Sequence, residues 1–266
     1  NTISTTNTRN KAIHSTGGKY TVKNASDGVV YWDDIDGHAA ELDLIGIHPM
    51  TSQAPTTVAG ISSFPWTVET IQSGTGYVAS DLHISTRTES YTLDKQKKSQ
   101  VPTLAFEHVL SKVTIQLKSG TGFTVDDFEP TKVTLLNMNT TANVTVADGA
   151  TAAVSIGTLT GDAPITPIKT GETTADNVKT ITYEAIVMPG QTFAKEVEFV
   201  EFQIKLDESI NPYRARIPNE NFSFQKGKNH KFTITVHKVT TDGVATITDW
   251  ADGTPIQNEE VKIGIV

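Results

Sequence analysis

The sequence predicts an all-β protein built as two β-sandwich domains in tandem. Three observations carry that reading. Apolar and polar residues alternate with period two in several segments. Gly, Pro, Asp and Ser interrupt those segments at short intervals. No stretch sustains a helical period. Alternating side chains project to opposite faces of a strand, so period two marks half-buried strands with one core face. Many short strands divided by turn residues argue for sandwiches.

Residues 42–47, with Leu42, Leu44 and Ile47, read as the first strong strand candidate. Ser73-Gly74-Thr75-Gly76 then reads as a turn. Residues 93–99 (LDKQKKS) hold a helical turn or two at most. In 113–118, Val113, Ile115 and Leu117 alternate with Thr114, Gln116 and Lys118. The SGTG string recurs at 119–122, and an aromatic follows each copy, Tyr77 and Phe123. This is reused turn chemistry, because nothing recurs at a fixed period. Strands are expected at 132–137 and 143–146, followed by a turn at Asp148-Gly149. Residues 158–180, rich in Thr, Gly and Pro, read as a long loop inside the second domain. Further strands follow at 180–188, 200–206, 213–217, 232–237 and 245–250, parted by Lys226-Gly227-Lys228 and Asp242-Gly243. Thr and Val dominate these segments, which suits a pleated surface.

The domain boundary is expected near 120–130. There a strong strand ends in a Gly-rich turn, and Asp126, Asp127, Glu129 and Pro130 break the pattern. The expected domains are 1–124 and 125–266, each with about seven strands, the number in a simple sandwich.

Composition excludes several classes. The 266 residues are ample for two domains, and 37% are apolar, as in thin sandwiches with solvated outer faces. Twenty-two basic against 30 acidic residues leave a formal net charge of -8, with no basic stripe, so nucleic acid is not an expected partner. The absence of Cys removes disulfides, thiolate nucleophiles and Cys-type metal sites. No run approaches the length of a membrane span. The chain starts at Asn1 with no Met, so no targeting segment is read from it.

No catalytic, cofactor or metal site is expected. The seven histidines form no H-x-x-x-H or H-E-x-x-H pair, and only a cluster made in space would hold a metal. Asp33-Asp34-Ile35-Asp36-Gly37 reads as an acidic turn, because a calcium loop with Gly37 in sixth place would begin at Trp32, which offers no oxygen ligand. No nucleophile elbow, phosphate-binding loop or dinucleotide fingerprint follows a strand. A hydrolase would need a carboxylate pair assembled in space. Trp32, Trp66, Tyr77 and Tyr91 are the candidates for stacking on sugar rings, although a chain with 7% aromatics needs most of them in its core.

Two segments go further than fold class. The first is Phe106-Glu-His108-Val-Leu-Ser-Lys112, which leads into the alternating strand ending near Gly120. The second runs from Phe202 through Tyr213-Arg-Ala-Arg-Ile217, Phe224-Gln-Lys-Gly227 and Phe232 to Val236, and ends in Ile247-Thr-Asp-Trp250. In this order they resemble the fimbrillin family of Bacteroidales bacteria. Tyr183 to Pro189, Val30-Tyr-Trp32, Leu42 to Pro49 and Ser80-Asp-Leu82 are similar to further family segments. The resemblance spans about 30–253. It implies two transthyretin-like β-sandwich domains, export as a lipoprotein precursor, and display at the outer membrane. It also implies assembly with other pilin subunits by strand complementation, after removal of a first strand behind an Arg. Arg9 is the Arg near the start, and the polar run 1–10 implies that the first strand is absent or disordered.

The same logic holds in physical terms. A sandwich lacking a strand exposes unpaired backbone groups and apolar pockets at every second position, and an extended segment can complete it. The tail 259–266 has that design, with Val261, Ile263 and Ile265 on one face. It reads first as the last strand of its own domain, then as a donor strand, and otherwise as a disordered tail. The function expected is a pilus subunit or pilus-associated adhesin. Its partners are other pilins and surface glycans or proteins of host or bacterium. The alternative is a carbohydrate-binding surface lipoprotein.

Overall fold

Strand Ser111–Ser119 keeps its predicted period: Val113, Ile115 and Leu117 are buried, and Lys112, Gln116 and Lys118 are half-buried between them. In the computed structural model it lies inside a six-stranded sheet ordered Ile168–Ala175, Val178–Val187, Ser111–Ser119, Asn229–Val236, Val244–Thr248, Glu259–Lys262. The structure describes residues 47–49, 61–85, 105–147, 153–206, 209–217 and 221–238. It also gives the backbone of strands Lys11–Ser15, Lys19–Lys23, Glu41–Leu42, Thr56–Val58, Tyr91–Thr92, Val244–Thr248 and Glu259–Lys262.

Val178–Val187 runs antiparallel to Ser111–Ser119, setting Val113 opposite Ala185 and Leu117 opposite Ile181. On the other side Asn229–Val236 runs parallel, setting Ile115 opposite Phe232 and Leu117 opposite Ile234. A parallel neighbour requires a long connection. That connection supplies a three-stranded sheet of Pro130–Leu135, Glu198–Leu206 and Ser209–Arg216. The sheets meet through aromatic rings. Phe199, from the smaller sheet, lies 4.6 Å from Phe232 of the larger one, and Phe193 and Phe224 pack against Phe199 at 5.5 and 6.1 Å. All four are buried, and each such side chain contributes about 1.5–3 kcal/mol through lost apolar exposure.

The chain divides into two compact units. One holds Asn1–Pro65, His83–Glu107 and Asn143–Gly157, and the other holds Trp66–Leu82, His108–Ala142 and Thr158–Val266. The sheets above belong to the second. In the first, Lys11–Ser15 and Lys19–Lys23 form a hairpin, Glu41–Leu42 pairs with Tyr91–Thr92, and Ile47–His48 pairs with His83–Ser85. There too Val144 lies opposite Ile156 and Val146 opposite Val154, with Phe64, Ile84, Val144 and Val146 buried. The expected blocks 1–124 and 125–266 cut across these units. Ser111–Ser119 falls in the first block, yet it bonds to Val178–Val187 and Asn229–Val236.

Two expectations need correction. Residues 158–180 are not a loop: they contain strands Thr160–Asp162 and Ile168–Ala175, and the latter forms a hairpin with Val178–Val187. Period two is missing there because six of the eight residues of Ile168–Ala175 are exposed, so neither face selects for apolar side chains. The segment after Gly74 is not only a turn, since Thr75–Ser80 forms a short helix. The expected helical turn at 93–99 lies outside the described residues, as do the acidic turn at 33–37 and residues 43–46 and 249–250 of the expected strands.

Candidate functional site

The edges of a sheet are where a β-protein can pair with another chain. Edge strand Ile168–Ala175 has a bulge between Lys169 and Gly171. Its Glu172 accepts from Lys169 Nζ at 2.6 Å and pairs with Lys179 Nζ at 3.1 Å. The hydrogen bonds from Lys169 and then Lys179 hold the Glu172 carboxyl below its ordinary pKa. A bulge and fixed charge on an edge discourage an added strand. Edge strand Ser209–Arg216 is blunted in another way, since Pro212 has no N–H to offer. Arg214 spans two carboxylates on the adjoining strand, with Nε at 2.9 Å from Glu201 and Nη1 at 2.7 Å from Glu198. Those two bonds push the guanidinium pKa up. Ile210 on this strand is 57% exposed.

At the opposite end of the six-stranded sheet, Glu259–Lys262 pairs antiparallel with Val244–Thr248, setting Val261 opposite Ala245. The backbone of Glu259–Lys262 is thus engaged within its own chain. Of the residues expected to form a donor face, Val261 lies in this strand, while Ile263 and Ile265 lie outside the described residues. Arg9 also lies outside them.

Two backbone positions that strands leave open inside the second unit are filled by side-chain amides. Strand Ile168–Ala175 begins with Ile168 opposite Glu184, so it stops short of Ile186. There the Gln72 amide stands in for a strand. Its Oε1 accepts the Ile186 N–H at 2.7 Å, and its Nε2 donates to the Ile186 carbonyl at 2.7 Å and the Glu69 carbonyl at 3.1 Å. Gln191 treats Asn139 the same way, accepting its N–H at 2.7 Å and donating to its carbonyl at 3.2 Å. Both glutamines are buried, Gln72 completely. The backbone around Gln72 joins the ladder too: Thr166 N–H donates to the Thr70 carbonyl, and Gln72 N–H to the Thr166 carbonyl. Neither glutamine was legible in the sequence, where Gln72 stands just before the turn signal Ser73-Gly74-Thr75-Gly76.

The helix Thr75–Ser80 locks this segment. Ser80 Oγ donates to the Gly76 carbonyl at 2.7 Å and accepts the Glu69 N–H at 2.9 Å. Gly76 is required, because a Cβ there would overlap the Ile71 carbonyl. Tyr77 donates to Glu184 Oε2 at 3.0 Å, and Lys112 donates to Glu184 Oε1 at 3.1 Å. Burial, then the Glu184 charge, pushes the Tyr77 pKa up and keeps its proton in place.

This geometry corrects the sugar-stacking candidates. Trp66 is only 7% exposed, and its Nε1 donates to the Ser80 carbonyl at 3.2 Å, so its face is not offered to a ligand. Tyr77 is half-buried with its hydroxyl engaged. Trp32 lies outside the described residues, and Tyr91 is described only by its strand backbone. Several histidines have structural roles. His230 Nε2 accepts the Gln225 N–H at 3.0 Å, His237 Nδ1 accepts the Thr121 N–H at 2.9 Å, and His108 Nδ1 lies 2.9 Å from Asp81 Oδ1. Among the described residues no Asp or Glu is buried.

Several solved structures are similar to the chain. A Bacteroides fragilis protein described as a candidate cell adhesion protein is 13% identical, with a TM-score of 0.37 over 76% of this chain and 68% of that one. A fimbrial protein from Bacteroides ovatus is 14% identical, with a TM-score of 0.37 over 95% of this chain and 49% of that one, so the chain spans about half its length. No curated protein matches the chain. The fimbrillin-like family model matches residues 1–250 of the 266, and the chain belongs to the fimbrillin-like family.

Proposed function

We propose that the chain is a pilus subunit or pilus-associated adhesin of a Bacteroidales bacterium, exported as a lipoprotein precursor and displayed at the outer membrane. In this reading its sandwiches are transthyretin-like, and it associates with other pilin subunits by β-strand addition. The tail 259–266 is the donor, with Val261, Ile263 and Ile265 entering the acceptor's pockets, and Arg9 is the processing site. Family membership over residues 1–250 is the observation that carries the reading.

Physical features support it. The buried amides of Gln72 and Gln191 are spent on closing backbone ladders. Among the described residues, strand Glu259–Lys262 stands at the end of its sheet and pairs with one neighbour, Val244–Thr248. Such a strand is exchanged at lower cost than one paired on both sides.

The test compares the purified chain with and without residues 256–266, alone and mixed with partner pilins, by electron microscopy. Polymers or mixed complexes that need the tail are the expected result. If neither form associates with itself or with pilins, the strand-donor role is wrong.

A further inference from the structure

The turn at 224–228 is a junction of backbone bonds. Gly190 N–H donates to the Phe224 carbonyl, Phe224 N–H to the Gln191 carbonyl, Gly227 N–H to the Leu110 carbonyl and Lys112 N–H to the Lys228 carbonyl. Ser111 Oγ donates to the Gln225 carbonyl at 2.6 Å. Strand Phe222–Ser223 just before it pairs with Thr192–Phe193. These residues therefore clip together the entry to strand Ser111–Ser119 and the segment that follows Val178–Val187.

One bond of the junction depends on an ionisable group. The Gln225 N–H donates to His230 Nε2 at 3.0 Å, which requires the lone pair on that nitrogen. The ring is buried, with Phe222 and Phe224 edge-on at 5.2 and 5.4 Å. A proton on Nε2 would set two N–H groups against each other in this site.

The charged groups on the surrounding elements are mostly lysines. Lys226 and Lys228 lie in the turn, Lys231 on the same strand and Lys112 on the neighbouring one. Lys195 and Glu196 follow strand Thr192–Phe193. Beyond Gly227 lies His108, paired with Asp81, and Lys112 is held by Glu184.

We propose that residues 221–228 form an acid-released latch: protonation of His230 frees the turn and strand Phe222–Ser223, while the sheet beneath stays paired. The released segment uncovers Phe193 and Phe224, so the acid form presents aromatic surface that the neutral form hides. The sheet persists because Ser111–Ser119 keeps its ladders to Val178–Val187 and Asn229–Val236.

The sign follows from burial, which holds the His230 pKa below its ordinary 6.5 in the closed latch. The open latch binds a proton more readily, so closure is complete above about pH 6.5 and is lost as pH falls through the closed-state value. Between the two values the open population rises by up to about tenfold per pH unit.

Hydrogen exchange on the full chain, corrected for intrinsic pH effects, reads this directly. The amides of Gly190, Phe224, Gln225 and Gly227 should lose protection between pH 7 and pH 5, while those of 113–117 keep it. His230→Gln keeps an acceptor near the Nε2 position without titrating, and should abolish the acid step. The proposal fails if wild-type Gln225 and Gly227 stay equally protected at both pH values, or if His230→Gln retains the step. Should that variant not fold, the wild-type His230 titration followed by NMR decides: a midpoint at or above 6.5 overturns the latch, and a lower one supports it.

Discussion

Replacing Gln72 by Leu should destabilise the second unit by about 2–3 kcal/mol, although both side chains are similar in size. Gln72 is completely buried, and its amide is the partner of both the N–H and the carbonyl of Ile186 at 2.7 Å. Leucine fills the space and leaves both backbone groups unpaired. Each unpaired buried group costs about 1–3 kcal/mol, or about 2–6 for the pair. Leucine returns about 1–2 of this, since no amide has to leave water. Urea unfolding followed by tryptophan fluorescence measures the difference, because Trp66 lies in the same segment. With a slope of about 2–3 kcal/mol per molar urea, the midpoint should fall by about 1 M. Gln72→Glu sharpens the test. A carboxylate still accepts the Ile186 N–H, but it faces the Ile186 carbonyl with no proton to share. Burial and that carbonyl raise the folded-state pKa above the unfolded value, so this variant's stability is present at low pH and lost as pH rises through the folded value. It should therefore approach wild type on acidification, whereas the Leu variant should not. A Leu variant with its midpoint within about 0.2 M of wild type, or a Glu variant indifferent to pH, would refute the claim that this amide closes the ladder.

Three further outcomes follow from the same structure. Gly122 has φ 88°, and a Cβ there would overlap the Lys238 carbonyl, so Gly122→Ala should cost at least the 1–2 kcal/mol or so of a left-handed conformation, read as a lower urea midpoint. Replacing Lys169 and Glu172 together by Val removes the charges from edge strand Ile168–Ala175, and light scattering should then detect association at concentrations that leave the wild type unchanged. Burial pushes the Tyr77 pKa up, and burial followed by the Glu172 charge pushes Tyr183 to about 12. The unfolded chain releases these protons from about pH 10, so this share of stability is present below pH 10 and declines as pH rises toward the folded values. An absorbance titration should find fewer tyrosines ionising near pH 10 in the native chain than in urea; all six titrating there would contradict the burial.

Residues with one buried face were readable in advance. Val113, Ile115 and Leu117, then Phe202 and Ile204, then Phe232, Ile234 and Val236, are all buried in strands at the predicted places. Period two records a difference between two faces, and it fails where the difference vanishes. Lys-Thr-Gly-Glu-Thr-Thr at 169–174 is a real strand with nothing apolar to announce it, because an exposed edge rewards charge and bulges over hydrophobicity. The helix Thr75–Ser80 is hidden for another reason. It spans six residues and carries Gly76, whose cost in a helix is accepted because any larger residue would meet the Ile71 carbonyl.

Pairing was far less readable than strand existence. The sequence separates Ser111–Ser119 from Asn229–Val236 by more than a hundred residues, and a parallel ladder carries no turn signal to join its members. Near the boundary expected at 120–130, the chain makes a turn in which the Phe123 N–H donates to the Gly120 carbonyl. A turn there ends a strand without ending the sheet, because the strand's partners arrive later in the chain. The same non-locality hid the glutamines. Gln72 matters because strand Ile168–Ala175 stops opposite Glu184, two residues before Ile186, and that shortfall is a property of the assembled sheet. Wherever a β-protein leaves one ladder position uncovered in its interior, a side-chain amide presents a donor and an acceptor on separate atoms, as a strand's backbone does. A buried Gln flanked by turn residues therefore deserves testing as a ladder partner before it is dismissed as part of a loop.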